Sequence, residues 1–210
     1  MGGFSSSGSR LTLEGYNLRL LVMEAYGLKS YQISIPATVS QPDVYYDIVA
    51  TAEDENTPTR SEFREMLQGM LADRFQLKVH SEKRQLPVYA LVVGKGGPKL
   101  NPPSDSAHQL HGVNGRNQFI EAGRITMNDL ANEIWSDFIS ERPILDRTGL
   151  PGSYKLRVEA TPEFRLNRDP QPGDLSIFTA VQEQLGLKLE PSTSLIDTLV
   201  VDSAQKPSDN

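Results

Sequence analysis

The chain of 210 residues contains no cysteine and no long apolar segment. Without cysteine there is no disulfide, no thiol nucleophile and no cysteine-ligated metal site. The absence of cysteine does not identify the cellular compartment. No segment approaches the roughly 18 consecutive apolar residues that a membrane-spanning helix requires. Basic residues are fewer than acidic ones: the chain has 21 Lys and Arg and 27 Asp and Glu, which gives a formal net charge of −6. This charge argues against nucleic-acid binding, which needs a basic surface.

The remaining composition is that of a folded protein. Hydrophobic residues make up 38% of the chain and charged residues 23%, which is typical of globular domains. The length suits one large domain or two small ones. Residues 1–9 are rich in Gly and Ser and lack the basic start and apolar stretch of a signal peptide, so we expect a flexible lead-in there.

The spacing of apolar residues predicts alternating strands and helices. Leu18, Leu21, Val22 and Ala25 lie on one face of a predicted helix, and Gly27 ends it. The same analysis predicts a second helix over 60–75 with Thr59 or Ser61 as its N-cap, a third with Asp129 as its N-cap, and a fourth over 177–185. Runs that alternate between apolar and polar residues predict strands between these helices.

This order of elements occurs twice. Residues 10–97 and 123–204 each read as strand, helix, two strands, helix, two strands. Arg124-Ile-Thr-Met127 matches Arg10-Leu-Thr-Leu13 at an offset of 114, and Leu187-Lys-Leu189 matches Leu77-Lys-Val79 at an offset of 110. We therefore predict an α+β fold made by internal duplication, with helices packed on small mixed sheets. Residues 98–122 show no period and are predicted to be a linker or long loop.

The sequence shows no catalytic constellation, and we predict neither a cofactor nor a metal site. His80 lies on a predicted strand, on the face opposite Leu77 and Val79, without a nucleophile signature nearby. His108 and His111 fall in the predicted linker, where a loop offers neither a third ligand nor a fixed geometry.

Four residues remain as candidates for binding. These are His80, Arg74 at the end of the second predicted helix, and the pair Asp146 and Arg147 before the turn that starts at Thr148. For each of them the alternative is a structural role. Asp146 is then an acceptor for turn N–H groups, and Arg74 a favourable charge at a helix C-terminus.

Five segments carry a resemblance to a known family: 71–80 (LADRFQLKVH), 86–93 (LPVYALVV), 142–154 (RPILDRTGLPGSY), 185–190 (LGLKLE) and 200–203 (VVDS). They resemble the acidobacterial soil-associated protein family, a domain of unknown function. The resemblance implies an extracytoplasmic location and carries over no catalytic residues. The two halves also resemble, in pattern alone, the short N-terminal domains of secretins and TonB-associated proteins, which are interaction modules.

These observations predict a non-catalytic, extracytoplasmic binding or sensing module. A groove, or the edge of a sheet, would accept a peptide or protein partner. The alternative is a hydrolase whose site assembles around His80 or around Asp146 and Arg147. The sequence does not identify the ligand or the oligomeric state.

Overall fold

A computed structural model of the chain describes residues 3–7, 10–40, 42–51, 58–139 and 141–207. Helices and strands are mixed throughout, which confirms the predicted α+β class. The α-helices are Leu18–Tyr26 (α1), Arg60–Arg74 (α2), Met127–Asp137 (α3), Glu163–Arg168 (α4) and Ile177–Leu185 (α5). Within the described ranges, no helix combines the length and the apolar character that crossing a membrane requires.

Two long strands and several shorter ones make up the sheets. The strands are Gly3–Ser7 (β1), Arg10–Tyr16 (β2), Ile33–Ser34 (β3), Tyr46–Thr51 (β4), Lys78–Val93 (β5), Gln109–Asn114 (β6), Asn117–Thr126 (β7), Ile144–Asp146 (β8), Ser153–Ala160 (β9) and Leu187–Ser203 (β10). The chain divides into two compact units. Unit 1 contains residues 1–84 and 195–210, and unit 2 contains residues 85–194.

Unit 1 packs two helices on strands. Its antiparallel sheet has the order β1-β2-β4, and β3 pairs in parallel with the C-terminal part of β10. Asn17 caps α1 by accepting the Leu20 N–H at 3.0 Å. Thr59, one of the two predicted candidates, caps α2 in a reciprocal box with Glu62. The helices bury apolar faces, because the spacing of three and four residues places those side chains on one side. The buried core residues of this unit include Leu13, Leu21, Val22, Phe63, Leu67, Leu71, Phe75 and Val201.

Unit 2 has a similar set of elements and, in addition, the short helix α4. Its antiparallel sheet has the order β6-β7-β9, and β8 pairs in parallel with the C-terminal part of β5. The N-cap of α3 is Thr126, whose hydroxyl accepts the Asp129 N–H at 3.1 Å. The sequence prediction placed the cap at Asp129, three residues too late. The buried core residues of this unit include Leu91, Ile120, Leu130, Ile134, Val158, Val181, Leu185 and Leu187.

The two units share their strand pairings as well as their order of elements. In unit 1, Leu13 faces Ile48 and Tyr16 faces Tyr46 across a register shift. In unit 2, Ala122 faces Leu156 and Ile125 faces Tyr154 across a similar shift. These pairings support the predicted duplication, which stays a prediction.

The pairings also change the alignment of the two halves. They equate Leu13 with Ala122, an offset of 109, whereas the sequence comparison placed Arg10–Leu13 on Arg124–Met127 at 114. The sequence match was misleading because Thr126 caps a helix while Thr12 lies inside a strand.

Two segments without a strong apolar pattern form strands. Residues 98–122, predicted as a linker, contain β6 and the first six residues of β7, joined by a tight turn at Gly115, where φ is +62°. The pattern is weak because β6 is an edge strand whose Leu110 and Val113 are exposed. In the sequence, the Asn114-Gly115 pair is the feature of this segment that is typical of a β-hairpin turn.

The N-terminal segment is the second of these cases. Residues 1–9, predicted as a flexible lead-in, include β1, which pairs with β2 through its backbone. Residues 1, 2, 8 and 9 lie outside the described part of the chain. Backbone pairing does not depend on side-chain alternation, so the Gly/Ser composition concealed this strand.

The unit boundaries, at 84/85 and 194/195, also differ from the predicted ones at 97 and 123. The reason is that β5 and β10 each contribute residues to both units.

An ion-pair network in unit 2 holds the segment between α4 and α5. The Arg116 guanidinium donates to both carboxylate oxygens of Asp174, at 3.0 and 3.1 Å, and to Asp169 at 3.2 Å. These hydrogen bonds from Arg116, followed by the Gln171 N–H, hold the pKa of Asp174 below its ordinary value. A carboxylate of this kind stabilises the fold above its ordinary pKa, and the effect is lost as the pH falls through the folded pKa.

We therefore expect Arg116→Ala to be less stable than the wild type near neutral pH, with the difference shrinking as the pH falls below the ordinary Asp value of 3.8. Urea unfolding followed by circular dichroism across this pH range measures it. Arg168→Ala is the control, because Arg168 is exposed and forms no ion pair with the residues that the structure describes. A difference that stays constant into acid would contradict the assignment.

Candidate functional site

His80 lies on β5 in unit 1, with both ring nitrogens facing carboxylates. Its Nδ1 is 2.8 Å from Oδ1 of Asp202, and its Nε2 is 3.9 Å from Oε2 of Glu82. The side chain is half exposed, and among the described residues no hydroxyl hydrogen-bonds to the ring. A hydrolase based on this histidine would need a nucleophile in hydrogen-bond contact with it. The geometry is that of a surface His–Asp pair.

Asp146 stabilises a turn in unit 2. Its Oδ1 accepts the Thr148 N–H at 2.8 Å and the Thr148 hydroxyl at 2.7 Å, which is the turn role considered from the sequence. The Arg147 side chain is exposed, and the backbone N–H of Arg147 donates to the Leu91 carbonyl at 2.9 Å. Arg74 is exposed in the last turn of α2. A ligand-binding role for these residues and for His80 stays a prediction.

A groove in unit 1 offers a better-formed site. It encloses about 410 Å³ and is called the basic groove below. Its walls come from the end of β2, from α1 and the segment after it, and from the first two turns of α2. Its lining residues are Tyr16, Leu20, Met23, Glu24, Gly27, Leu28, Lys29, Arg60 and Arg64. None of the residues predicted as binding candidates belongs to it.

The Arg64 guanidinium packs against the C-terminal end of α1. Gly27 ends the helix in the left-handed conformation, with φ of +62°. The Arg64 guanidinium lies against this glycine, since a Cβ built on Gly27 would be 2.6 Å from Cζ of Arg64. The Gln68 side chain, one turn further along α2, donates to the Ala25 carbonyl at 2.8 Å and holds the two helices together.

The charges of the basic groove are unbalanced. Lys29, Arg60 and Arg64 supply three positive charges, and Glu24 supplies one negative charge, 3.7 Å from Arg60. The Nε of Arg64 is buried and makes no hydrogen bond within the described part of the chain. A buried donor of this kind costs free energy unless a partner satisfies it. The groove is therefore positive in a protein whose net charge is −6.

Tyr16 contributes a neutral polar group to the same groove. Burial, and secondarily the charge of Glu24, raises the pKa of Tyr16 above its ordinary value of 10.0. Its hydroxyl therefore stays protonated at neutral pH and can donate a hydrogen bond. Leu20, Met23 and Leu28 make up the apolar part of the lining.

Sequence reasoning missed the basic groove for a simple reason. Arg60 and Arg64 lie four residues apart on α2, which by itself indicates an ordinary solvated helix face. Gly27 is 37 positions before Arg64 and reads only as a helix stop. No local signal joins the two, because their proximity depends on the packing of α1 against α2.

The family comparison assigns the chain to a group without a known activity. Residues 19–204 match the family described as a protein of unknown function, DUF3738. The chain belongs to this family. No curated protein and no solved structure matches it. The match covers the whole lining of the basic groove except Tyr16, so the family description and the candidate site concern the same part of the chain.

Proposed function

We propose that this protein is a binding module that holds a small organic carboxylate in the basic groove. The observation that carries the proposal is the Arg64 guanidinium, which belongs to a partly exposed side chain that lines the groove beside Lys29 and Arg60. Its buried Nε also lacks a hydrogen-bond partner among the described residues. A carboxylate is the natural partner of a guanidinium, because its two oxygens match the donor geometry of the fork. The role agrees with the binding module predicted from the sequence and with the extracytoplasmic location that the resemblance implies.

The rest of the groove fits an anion with an apolar chain. Lys29 and Arg60 add positive charge beside Arg64, while Leu20, Met23 and Leu28 present apolar surface. The volume of about 410 Å³ lies in the range of roughly 300–1,000 Å³ that small-molecule sites occupy. A medium-length aliphatic carboxylate satisfies both the charge and the apolar lining.

The proposal is tested by titrating the full chain with octanoate in a calorimeter. Octanol and octylamine keep the apolar chain and lack the negative charge. We expect octanoate to bind and the other two to bind weakly or not at all. A short peptide with a free or an amidated C-terminus tests whether the carboxylate comes from a peptide instead.

Substitutions test whether octanoate binds in the basic groove. Arg64→Gln should weaken octanoate binding by about tenfold or more, because a charge-assisted hydrogen bond contributes roughly 1.5–3 kcal/mol. Arg10→Gln removes the same charge from an exposed position of unit 1 outside the groove and should leave the affinity unchanged. Equal affinity in the wild type and Arg64→Gln, or octanol binding as tightly as octanoate, would rule out the proposed site.

A further inference from the structure

Three potential metal ligands converge in unit 2, at a place the basic groove does not involve. His111 on β6 lies beside Glu133 and Asp137, which are four residues apart on α3. One ligand atom from each of the three lies within 4.8 Å of the other two. These residues are called the His111 cluster. Two regular elements carry all three, so the cluster has the fixed geometry that a loop would lack.

The distances within the His111 cluster are short. Nδ1 of His111 is 2.6 Å from Oδ2 of Asp137, and Nε2 is 3.5 Å from Oε2 of Glu133. A tetrahedral zinc site with bonds of about 2.0–2.1 Å separates its ligand atoms by roughly 3.3 Å. The side chains are 40%, 30% and 27% exposed for His111, Glu133 and Asp137. An ion from solvent can therefore reach them. The two short distances involve different nitrogens of the ring, so the convergence on a single nitrogen is described by the 4.8 Å within which one ligand atom of each residue lies.

The electrostatics of α3 independently favour a cation at this place. Asp137 is the last residue of α3, where the helix dipole disfavours a carboxylate, and the last turn contains no basic residue. Glu133 one turn earlier is a like-charged neighbour at the spacing that destabilises a helix. Within the described ranges, neither carboxylate pairs with a lysine or arginine, and His111 is their ion-pair partner.

We propose that the His111 cluster binds a zinc ion through one ring nitrogen of His111 and one oxygen each of Glu133 and Asp137. Imidazole nitrogen and carboxylate oxygen are ordinary zinc ligands, and three protein ligands leave the fourth position for water. The ion neutralises the two carboxylates at the end of α3. It also joins the edge strand β6 to α3, so its binding stabilises unit 2.

Zinc titration of the metal-free, untagged full chain tests this inference. We expect one zinc per chain by calorimetry and a rise in the thermal unfolding midpoint, because a ligand that binds the folded state stabilises it. Magnesium and calcium prefer all-oxygen sites and should produce neither effect. Binding of either ion as tightly as zinc would overturn the assignment of the metal.

His111→Ala and Glu133→Gln should each weaken zinc binding at least tenfold and remove the thermal shift. His80→Ala is the matched control, because His80 also faces two carboxylates, at 2.8 and 3.9 Å, yet does not form a converging set with them. Loss in the first two variants and retention in the control supports the site. Absence of zinc binding in the wild type, or undiminished binding in Glu133→Gln, overturns it even if His111→Ala fails to fold.

Discussion

Replacing Gly186 with alanine is expected to lower the free energy of unfolding by about 3 kcal/mol or more. Gly186 follows α5 with a φ of +65°, a conformation that costs a residue with a side chain roughly 1 kcal/mol. The larger part of the loss is steric, since a Cβ at this position would be 2.1 Å from the Gly97 carbonyl oxygen. That oxygen belongs to the backbone and cannot rotate away.

The surrounding backbone is tied in place by two hydrogen bonds. The Gly94 N–H donates to the Gly186 carbonyl at 2.9 Å, and the Lys99 N–H donates to the Leu185 carbonyl at 2.8 Å. Relieving the clash would break at least one of them. These contacts also explain the glycine-rich turn after β5, which serves close backbone packing.

Gly149→Ala separates the two contributions to this loss. Gly149 has a similar φ of +68°, but nothing lies within 4 Å of a Cβ built there. Its replacement should cost only the conformational part, about 1 kcal/mol. Chemical denaturation of both variants measures the difference, and equal losses would refute the steric explanation.

Leu21→Ala is the second change with a large expected effect, a loss of about 3 kcal/mol within the usual range of roughly 2–5 kcal/mol. Leu21 is fully buried in the core of unit 1 and lies on the inner face of α1. Its truncation removes apolar contacts and leaves a cavity that the neighbouring side chains fill only in part. Urea unfolding followed by circular dichroism measures the loss.

The neighbouring Leu20 provides an internal comparison. It lines the basic groove and is only partly buried, so Leu20→Ala should cost about 1 kcal/mol or less in stability. The same change should weaken binding of the octanoate chain. Stability and binding are thus expected to respond to different residues of one helix. An equal loss of stability in both variants would show that α1 does not bury the face assigned to it.

Local patterns were sufficient for the fold class and for four of the five described α-helices; α4 was not predicted. The spacing of Leu18, Leu21, Val22 and Ala25 predicted α1 with its correct end at Gly27. Thr59, one of the two candidate caps, is the N-cap of α2. These predictions succeeded because helix faces and caps depend on residues within a few positions of each other. The α+β class follows from the same signals.

Local sequence patterns failed mainly to predict the edge strands β1 and β6. β6 exposes Leu110 and Val113, and β1 consists of Gly, Phe and Ser, so neither shows the alternation of a half-buried strand. Their pairing is decided by the backbone of a neighbouring strand, which the pattern of the segment itself does not contain. As a consequence His111 was assigned to a loop, and the possibility of a metal site was dismissed on that ground.

The sequence by itself therefore determined the α+β class, four of the five described α-helices and the turn at Asp146. Only the tertiary structure decided which distant residues come together in the basic groove and in the His111 cluster. Arg64 reaches Gly27 because α1 packs against α2, and His111 reaches Glu133 and Asp137 because β6 pairs with β7 beside α3. Such contacts join residues more than 20 positions apart through packing and strand pairing, so no local propensity encodes them.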